Sequence, residues 1–105
     1  MSYVIERTYE VFFHTLRGEV KVLEHFKSDD TQITKFCTKD HWLGIKLESV
    51  WLNEKYHGFN IYSQGLTDLL INGKNTKCDI IHSSLPDGTS RSVIFDLSDF
   101  FYEDF

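Results

Sequence analysis

The chain has 105 residues, of which 41% are hydrophobic, 15% aromatic and 26% charged, and its formal net charge is −5 at pH 7. This profile predicts one ordered globular domain rather than a disordered tail or a pair of domains. The acidic balance, with no run of lysine or arginine, argues against nucleic-acid binding, and no apolar stretch approaches the roughly 20 residues that cross a bilayer.

The cysteine content and the amino terminus both predict a cytoplasmic protein. Cys37 and Cys78 are too few for a disulfide scaffold, and we interpret both as reduced thiols. Charges occur early at the amino terminus, where a secretory signal peptide would need an uninterrupted apolar stretch. The sequence has no alanine and a single proline, which indicates an AT-rich gene of a phage or another mobile element.

The predicted elements begin with residues 3–16, where the odd positions up to residue 13 are apolar except for Arg7. The members of this apolar set are Tyr3, Ile5, Tyr9, Val11 and Phe13. Their alternation predicts a strand, while a helical stripe in the same segment leaves a helix as the alternative. Gly18 predicts a hairpin turn that leads into a second strand over residues 19–26. Residues 33–38 show a weak alternation of apolar and polar residues, which suggests a third strand.

A helix is predicted after Asp40, which is a candidate N-cap, and it should end near Gly58. The positions at three-four spacing are Leu43, Leu47, Val50, Trp51 and Glu54. A strand over residues 43–52 is the alternative for this segment.

A second, shorter helix is predicted over residues 63–73. Ser63 is its candidate cap and Gly73 its candidate stop. Three leucines, Leu66, Leu69 and Leu70, would face the core.

Residues 78–97 carry the clearest local pattern, because two alternating apolar runs flank Pro86, Asp87 and Gly88. These turn residues predict a tight hairpin with a left-handed glycine. Taken together, the elements predict an α+β fold: a single domain with a mainly antiparallel sheet of four to six strands and one or two helices on one face.

A repeated Cys-x-x-x-His pattern is the sharpest candidate for metal chemistry, with Cys37 before His41 and Cys78 before His82. In a strand, Cys78 and His82 would lie about 13 Å apart, too far to share one ion at bond lengths of about 2.1 to 2.3 Å. We therefore predict neither a metal nor another cofactor.

Signatures of catalysis are missing from the sequence. The glycines form no phosphate-binding pattern, and no serine or cysteine occurs in a nucleophile motif. The acidic residues of the central chain are interpreted as solubilising surface charges: Asp29, Asp30, Asp40 and Glu48. We predict no catalytic residues.

The carboxyl-terminal segment alternates bulky rings with carboxylates and contains no lysine or arginine after Arg91. Aromatic anchors and steering carboxylates suit a cationic protein surface. The predicted partner-binding residues are Asp96, Asp99, Phe100, Phe101, Tyr102, Glu103 and Asp104. The alternative is that the rings close the core while the acids face water.

These features predict a small acidic protein-binding module, an inhibitor or immunity-type protein that neutralises a basic toxin or nuclease. In size, charge and compositional skew the chain is similar to immunity proteins of bacteriocin and contact-dependent-inhibition systems, a likeness that transfers no functional residue. An anti-defence or host-takeover protein of a phage or plasmid, including a nucleic-acid mimic, is one alternative. A small enzyme whose residues converge only in the tertiary structure is the other.

Overall fold

A computed structural model describes residues 2–16, 18–29 and 31–99 of the chain. In chain order these residues form β1 (Ser2–Tyr3), β2 (Arg7–Thr15), β3 (Gly18–Phe26), β4 (Gln32–Cys37), α1 (His41–Lys55), β5 (Asn60–Ile71), β6 (Lys74–Ser84) and β7 (Ser90–Asp96). The strands form one sheet in the order β1-β5-β6-β7-β4-β3-β2. The pairs β1-β5 and β4-β7 are parallel, and the other neighbouring pairs are antiparallel.

The predicted α+β fold is confirmed. For two segments the sequence allowed either a strand or a helix, and the structure decides between them. Residues 7–15 form β2, which pairs antiparallel with β3 through a turn at Gly18, so the helical alternative is wrong. Residues 41–55 form α1, so the strand alternative is wrong there. The helix begins where predicted, because the Asp40 carboxylate accepts a hydrogen bond from the Leu43 main-chain N–H at 3.1 Å.

The prediction of a helix over residues 63–73 is wrong, since this segment belongs to β5 and pairs antiparallel with β6. The turn between the two strands is Asn72-Gly73, with φ of +50° and +78°. Two successive positive φ angles are the geometry of a type I′ hairpin turn, which Asn-Gly favours. The leucines of β5 have a high helix propensity, but pairing with the long strand β6 through this turn stabilises the strand conformation more.

The predicted hairpin over residues 78–97 is confirmed by the antiparallel pairing of β6 with β7. Leu85 and Thr89 close its turn, with a hydrogen bond of 2.9 Å from the Leu85 N–H to the Thr89 carbonyl oxygen. Gly88 has a φ of +87°, the left-handed conformation expected from its place after Pro86 and Asp87.

The main core lies between α1 and one face of the sheet. Trp51 of the helix packs against Phe36, with ring centroids 5.9 Å apart, and Phe36 stacks on Phe95 at 5.5 Å. Leu47 and Leu52 are buried in the same cluster. The helix therefore stays on the sheet through the apolar side chains of its second half.

The amino-terminal residues join distant strands of the sheet. Tyr3 lies beside Ile71 of β5, whereas the Glu6 N–H donates to the Phe26 carbonyl oxygen at the end of β3 at 2.9 Å. In a flat sheet β1 and β3 would be about 24 Å apart, or five spacings of about 4.8 Å. Three residues reach only about 11 Å. The sheet is therefore strongly curled.

This bend distributes the amino-terminal apolar residues over two clusters. Val11 and Phe13 pack against the core beneath α1. Tyr3 and Ile5 pack against a second cluster, formed by Ile33, Ile71, Cys78 and Ile94. Since side chains alternate along each strand, this second cluster lies on the face of the sheet opposite α1.

Candidate functional site

An apolar surface surrounds the first half of α1. Trp42 is 74% exposed and Ile45 is also exposed, whereas Trp51 and Leu52 in the second half of the helix are buried. Leu16, fully exposed in the turn after β2, and Leu66 of β5 lie on either side of the helix. We call Leu16, Trp42, Ile45 and Leu66 the α1 surface.

The members of the α1 surface are contiguous. Leu16 and Trp42 line the same groove between the end of β2 and α1. Trp42 and Ile45 are one helical turn apart, and Ile45 and Leu66 line the same pocket between α1 and the sheet. Contiguous exposed apolar side chains of this size are typical of binding surfaces.

The groove between β2 and α1 has a volume of about 610 Å³. Its apolar walls come from Phe13 and Leu16 on the β2 side and from Trp42, Leu43 and Val50 on the helix. A concave surface of this composition can accept an aliphatic or aromatic side chain from another molecule.

A smaller pocket of about 340 Å³ lies on the other side of α1, and it contains two carboxyl groups. Glu48 of α1 and Asp79 of β6 supply them, while Ile45, Leu66 and Leu97 provide apolar walls. We call this cavity the carboxyl pocket. His41 and Gln64 also line it.

The two carboxyl groups are hydrogen-bonded to each other. The Gln64 side-chain amide donates a second hydrogen bond to Asp79 Oδ2 at 2.8 Å. Glu48 is only 7% exposed, and its Oε1 is a buried side-chain atom without a hydrogen-bond partner in the described part of the chain. A buried oxygen of this kind is costly unless a ligand can use it.

Burial, followed by the charge and hydrogen bond of Asp79, raises the pKa of Glu48 to about 9. Glu48 is therefore a neutral acid at pH 7 and donates its proton toward the Asp79 carboxylate. Such a pair can release a proton when a cation approaches, and it can also act as a general acid and base.

The interpretation of Glu48 as a solubilising surface charge is wrong, because it is buried against the sheet. A signal was present in the sequence: Glu48 is four residues after Gly44 and four before Leu52, so it shares their buried helical stripe. Asp40 serves as the helix cap, and Asp30 lies outside the described residues.

Neither cysteine has the properties of a nucleophile. Burial, with added repulsion from nearby acids that include Asp96, raises the pKa of the fully buried Cys78 thiol to about 12. Burial also raises the pKa of Cys37. Both thiols are therefore protonated at neutral pH. Cys78 and His82 lie four residues apart along β6, and nowhere in residues 2–16, 18–29 and 31–99 do three His, Cys, Asp or Glu side chains cluster closely enough to hold a metal ion.

Two of the predicted partner-binding carboxylates are engaged within the chain. Asp96 is buried, and its Oδ1 accepts a hydrogen bond from the Ser98 N–H at 2.9 Å. Asp99 Oδ1 lies 3.5 Å from Lys35 Nζ and 3.9 Å from Lys39 Nζ. The other predicted residues, Phe100, Phe101, Tyr102, Glu103 and Asp104, lie outside the described residues. Partner binding by this segment stays a prediction.

A search of the helix that the structure describes identifies no segment long and apolar enough to cross a membrane. In comparisons with known proteins, no family model, no curated protein and no solved structure matches the chain.

Proposed function

We propose that the chain is a non-catalytic protein-binding module that docks a basic partner through the α1 surface. The continuity of Leu16, Trp42, Ile45 and Leu66 is the observation that carries this proposal. Exposed apolar side chains are common singly, but a contiguous group with an adjoining groove is typical of protein interfaces. Tryptophan in particular is enriched among the residues that dominate binding energy.

The charge of the chain supports a basic partner. The net charge of −5 attracts cationic proteins over long range and repels nucleic acid. The carboxyl pocket, which adjoins the α1 surface at Ile45 and Leu66, adds a local acceptor for positive charge. An inhibitor or immunity-type protein that neutralises a basic toxin or nuclease combines these properties.

The test is a capture experiment followed by measurements on the purified pair. Proteins retained by the immobilised chain are identified, and their affinities are measured for the parent, Trp42→Ala and Phe12→Ala. Phe12 is a matched control, because it is also exposed but lies on β2 outside the groove. We expect Trp42→Ala to weaken binding at least about tenfold and Phe12→Ala to leave it unchanged.

The salt dependence of the affinity distinguishes a basic partner from other molecules that could bind the α1 surface. Affinity should fall as ionic strength rises from about 0.05 to 0.5 M, because screening weakens attraction between opposite net charges. A neutral partner with salt-independent affinity would contradict the electrostatic part of the proposal. A dimer of the chain that Trp42→Ala dissociates in sedimentation would show that a second copy covers the surface, and it would overturn the proposal.

A small enzyme is the second candidate, and the Glu48 and Asp79 pair is the specific observation that favours it. A protonated glutamic acid beside a second carboxyl group can support acid and base steps, as the paired carboxyl groups of aspartic proteases do. Cleavage of denatured casein by the purified chain, lost in Glu48→Gln, would favour this candidate over the binding module.

A further inference from the structure

We propose that the carboxyl pocket receives a lysine or arginine side chain of the partner, with its cationic end against Glu48 and Asp79. This inference rests on the proposed function for the identity of the partner, and it assigns the pocket a defined ligand chemistry. The two carboxyl groups, the apolar walls and the unpartnered Glu48 oxygen each point to the same kind of ligand.

The shape and composition of the pocket match a long basic side chain. Ile45, Leu66 and Leu97 provide apolar contact for an aliphatic stem, while the carboxyl groups provide oxygen acceptors for its charged end. Ile45 and Leu66 also belong to the α1 surface, so a partner docked there would place such a side chain at the entrance.

The buried Glu48 Oε1 is the observation that favours a ligand with hydrogen-bond donors over a merely acidic surface. It is a carboxyl oxygen without a hydrogen-bond partner among the described residues, and it belongs to a side chain that lines the pocket. An ammonium or guanidinium group would supply the missing donor. Movement of the exposed Ile45 or Leu66 side chain would open access to this oxygen.

The described lining of the pocket contains no lysine or arginine, and His41 is its one basic side chain. From α1 it is lined by His41 and Glu48, from β5 by Gln64, and from β6 by Asp79; the segment after β7 contributes the apolar Leu97. Glu48 and Asp79 are the acidic groups of this lining, and Gln64 is neutral. A positive charge supplied from outside would balance this set.

Binding of the cation should release a proton. In the free chain the raised pKa of Glu48, about 9, keeps this carboxyl group protonated at neutral pH. When the cationic side chain binds, the Glu48 O–H bond breaks, the proton passes to solvent, and both carboxylates accept hydrogen bonds from the ligand. The two carboxyl groups together gain one negative charge, and the bound side chain contributes one positive charge.

The experiment uses small probes and does not require the partner. n-Butylammonium and n-butylguanidinium are titrated into the full chain at constant ionic strength, with n-butanol as the uncharged control. Chemical shifts of the Gln64 side-chain amide and the Glu48 carboxyl carbon report occupation of the pocket. The same titrations are made on Glu48→Gln and on Glu54→Gln, an identical change at an exposed position of α1.

Both cations should shift the Gln64 and Glu48 signals saturably, and butanol should not. Below the pKa of Glu48, the apparent affinity should rise by about tenfold for each unit of pH, because one proton leaves for each cation bound. Glu48→Gln should remove this pH dependence and weaken binding at least about fivefold, whereas Glu54→Gln should change neither. The cation with the higher affinity indicates whether lysine or arginine is the preferred ligand.

Equal binding of the cations to the parent and to Glu48→Gln, or an affinity independent of pH, would overturn the inference. Glutamine keeps the shape of the protonated acid, and an unchanged spectrum outside the pocket checks that the variant is folded. Probe binding at Glu48 without any Trp42-dependent partner would disprove the proposed function alone. A Trp42-dependent basic partner, with no probe binding in the pocket, would disprove this inference alone.

Discussion

Glu48 of α1 and Asp79 of β6 are hydrogen-bonded carboxyl groups at the junction of the helix and the sheet. Their contact joins the only described helix to a central strand, and it replaces the apolar packing found farther along the same helix at Leu52. Because Glu48 is buried and lies beside the charge of Asp79, its raised pKa keeps it protonated at pH 7. This relationship makes the stability of the domain depend on pH.

The first prediction concerns Glu48→Gln and pH. The pKa of Glu48 is about 9 in the folded state and lower in the unfolded chain. At pH values between these two pKa values, the folded state therefore binds one proton more than the unfolded state. Its stabilising effect is complete below the unfolded pKa and is lost as pH rises toward 9. Glutamine carries no such proton, so Glu48→Gln should equal the parent near pH 4 and should gain stability relative to it by about 1.4 kcal/mol for each pH unit between the two pKa values, or about 5 kcal/mol by pH 8.

Urea unfolding of both proteins across this pH range tests the prediction, with Glu54→Gln as the control for loss of a negative charge from α1. Parallel stability profiles for the parent and Glu48→Gln would show that Glu48 is ionised in the folded protein.

A second prediction concerns the helix cap. Asp40→Ala removes the acceptor for the Leu43 N–H and should lower the free energy of unfolding by about 1 kcal/mol. Asp40→Asn retains a capping oxygen and should cost a few tenths of that amount. The midpoint of urea denaturation is the measurement, and an equal loss in both variants would assign the effect to charge instead of capping.

The third prediction tests the link between the amino terminus and the β5-β6 hairpin. Asn72 Oδ1 accepts a hydrogen bond from the Ile5 N–H at 2.9 Å, and the Asn72 N–H donates to the Tyr3 carbonyl oxygen at 2.8 Å. Asn72 also has a positive φ, which asparagine tolerates better than alanine. Asn72→Ala should destabilise the domain by about 1 to 2 kcal/mol and should speed hydrogen exchange at the Ile5 amide.

Asn72→Asp is the matched control for that link, because it retains the side-chain oxygen and the tolerance of positive φ. The Ile5 amide should stay protected in this variant. Unchanged protection in Asn72→Ala would mean that the side-chain hydrogen bond contributes nothing to the attachment of the amino terminus.

The fourth prediction concerns thiol reactivity. Cys78 is fully buried and its pKa is raised to about 12, so a disulfide reagent such as Ellman's reagent should modify it only when the domain unfolds. Cys37 is partly exposed and should react sooner, although its raised pKa keeps it slower than a free thiol. Comparison of Cys37→Ser and Cys78→Ser separates the two rates. Rapid modification of the native Cys37→Ser variant would contradict the burial of Cys78.

Local sequence patterns were sufficient where neighbouring residues decide the conformation. Asp40 marked the start of α1, Gly18 marked the first hairpin, and Pro86 to Gly88 marked the last. In each case a short-range hydrogen bond or a glycine with positive φ acts within a few residues. The same patterns assigned Gly73 to the end of a helix, whereas Asn72-Gly73 form a hairpin turn. Glycine ends helices as readily as it forms hairpin turns.

The candidate site required the tertiary structure. Glu48 and Asp79 are 31 positions apart in the printed sequence, and neither belongs to a motif. Leu16 and Leu66, likewise, become neighbours of Trp42 and Ile45 only when β2 and β5 lie on either side of α1. The sequence does show that Glu48, four residues after Gly44, is a charged residue within the apolar stripe of α1. It does not show that Asp79 is its partner.

By itself, the sequence determined the α+β class, the cap of α1 and the hairpin turns at Gly18 and at Pro86 to Gly88, because propensity, alternation and turn chemistry act over short stretches of chain. Only the tertiary structure decided that residues 63–73 form a strand, that the sheet curls, and that two carboxyl groups meet beside an apolar surface. The physical reason is that long-range strand pairing and the burial of charge depend on which distant residues come into contact, and short-range patterns do not contain that information.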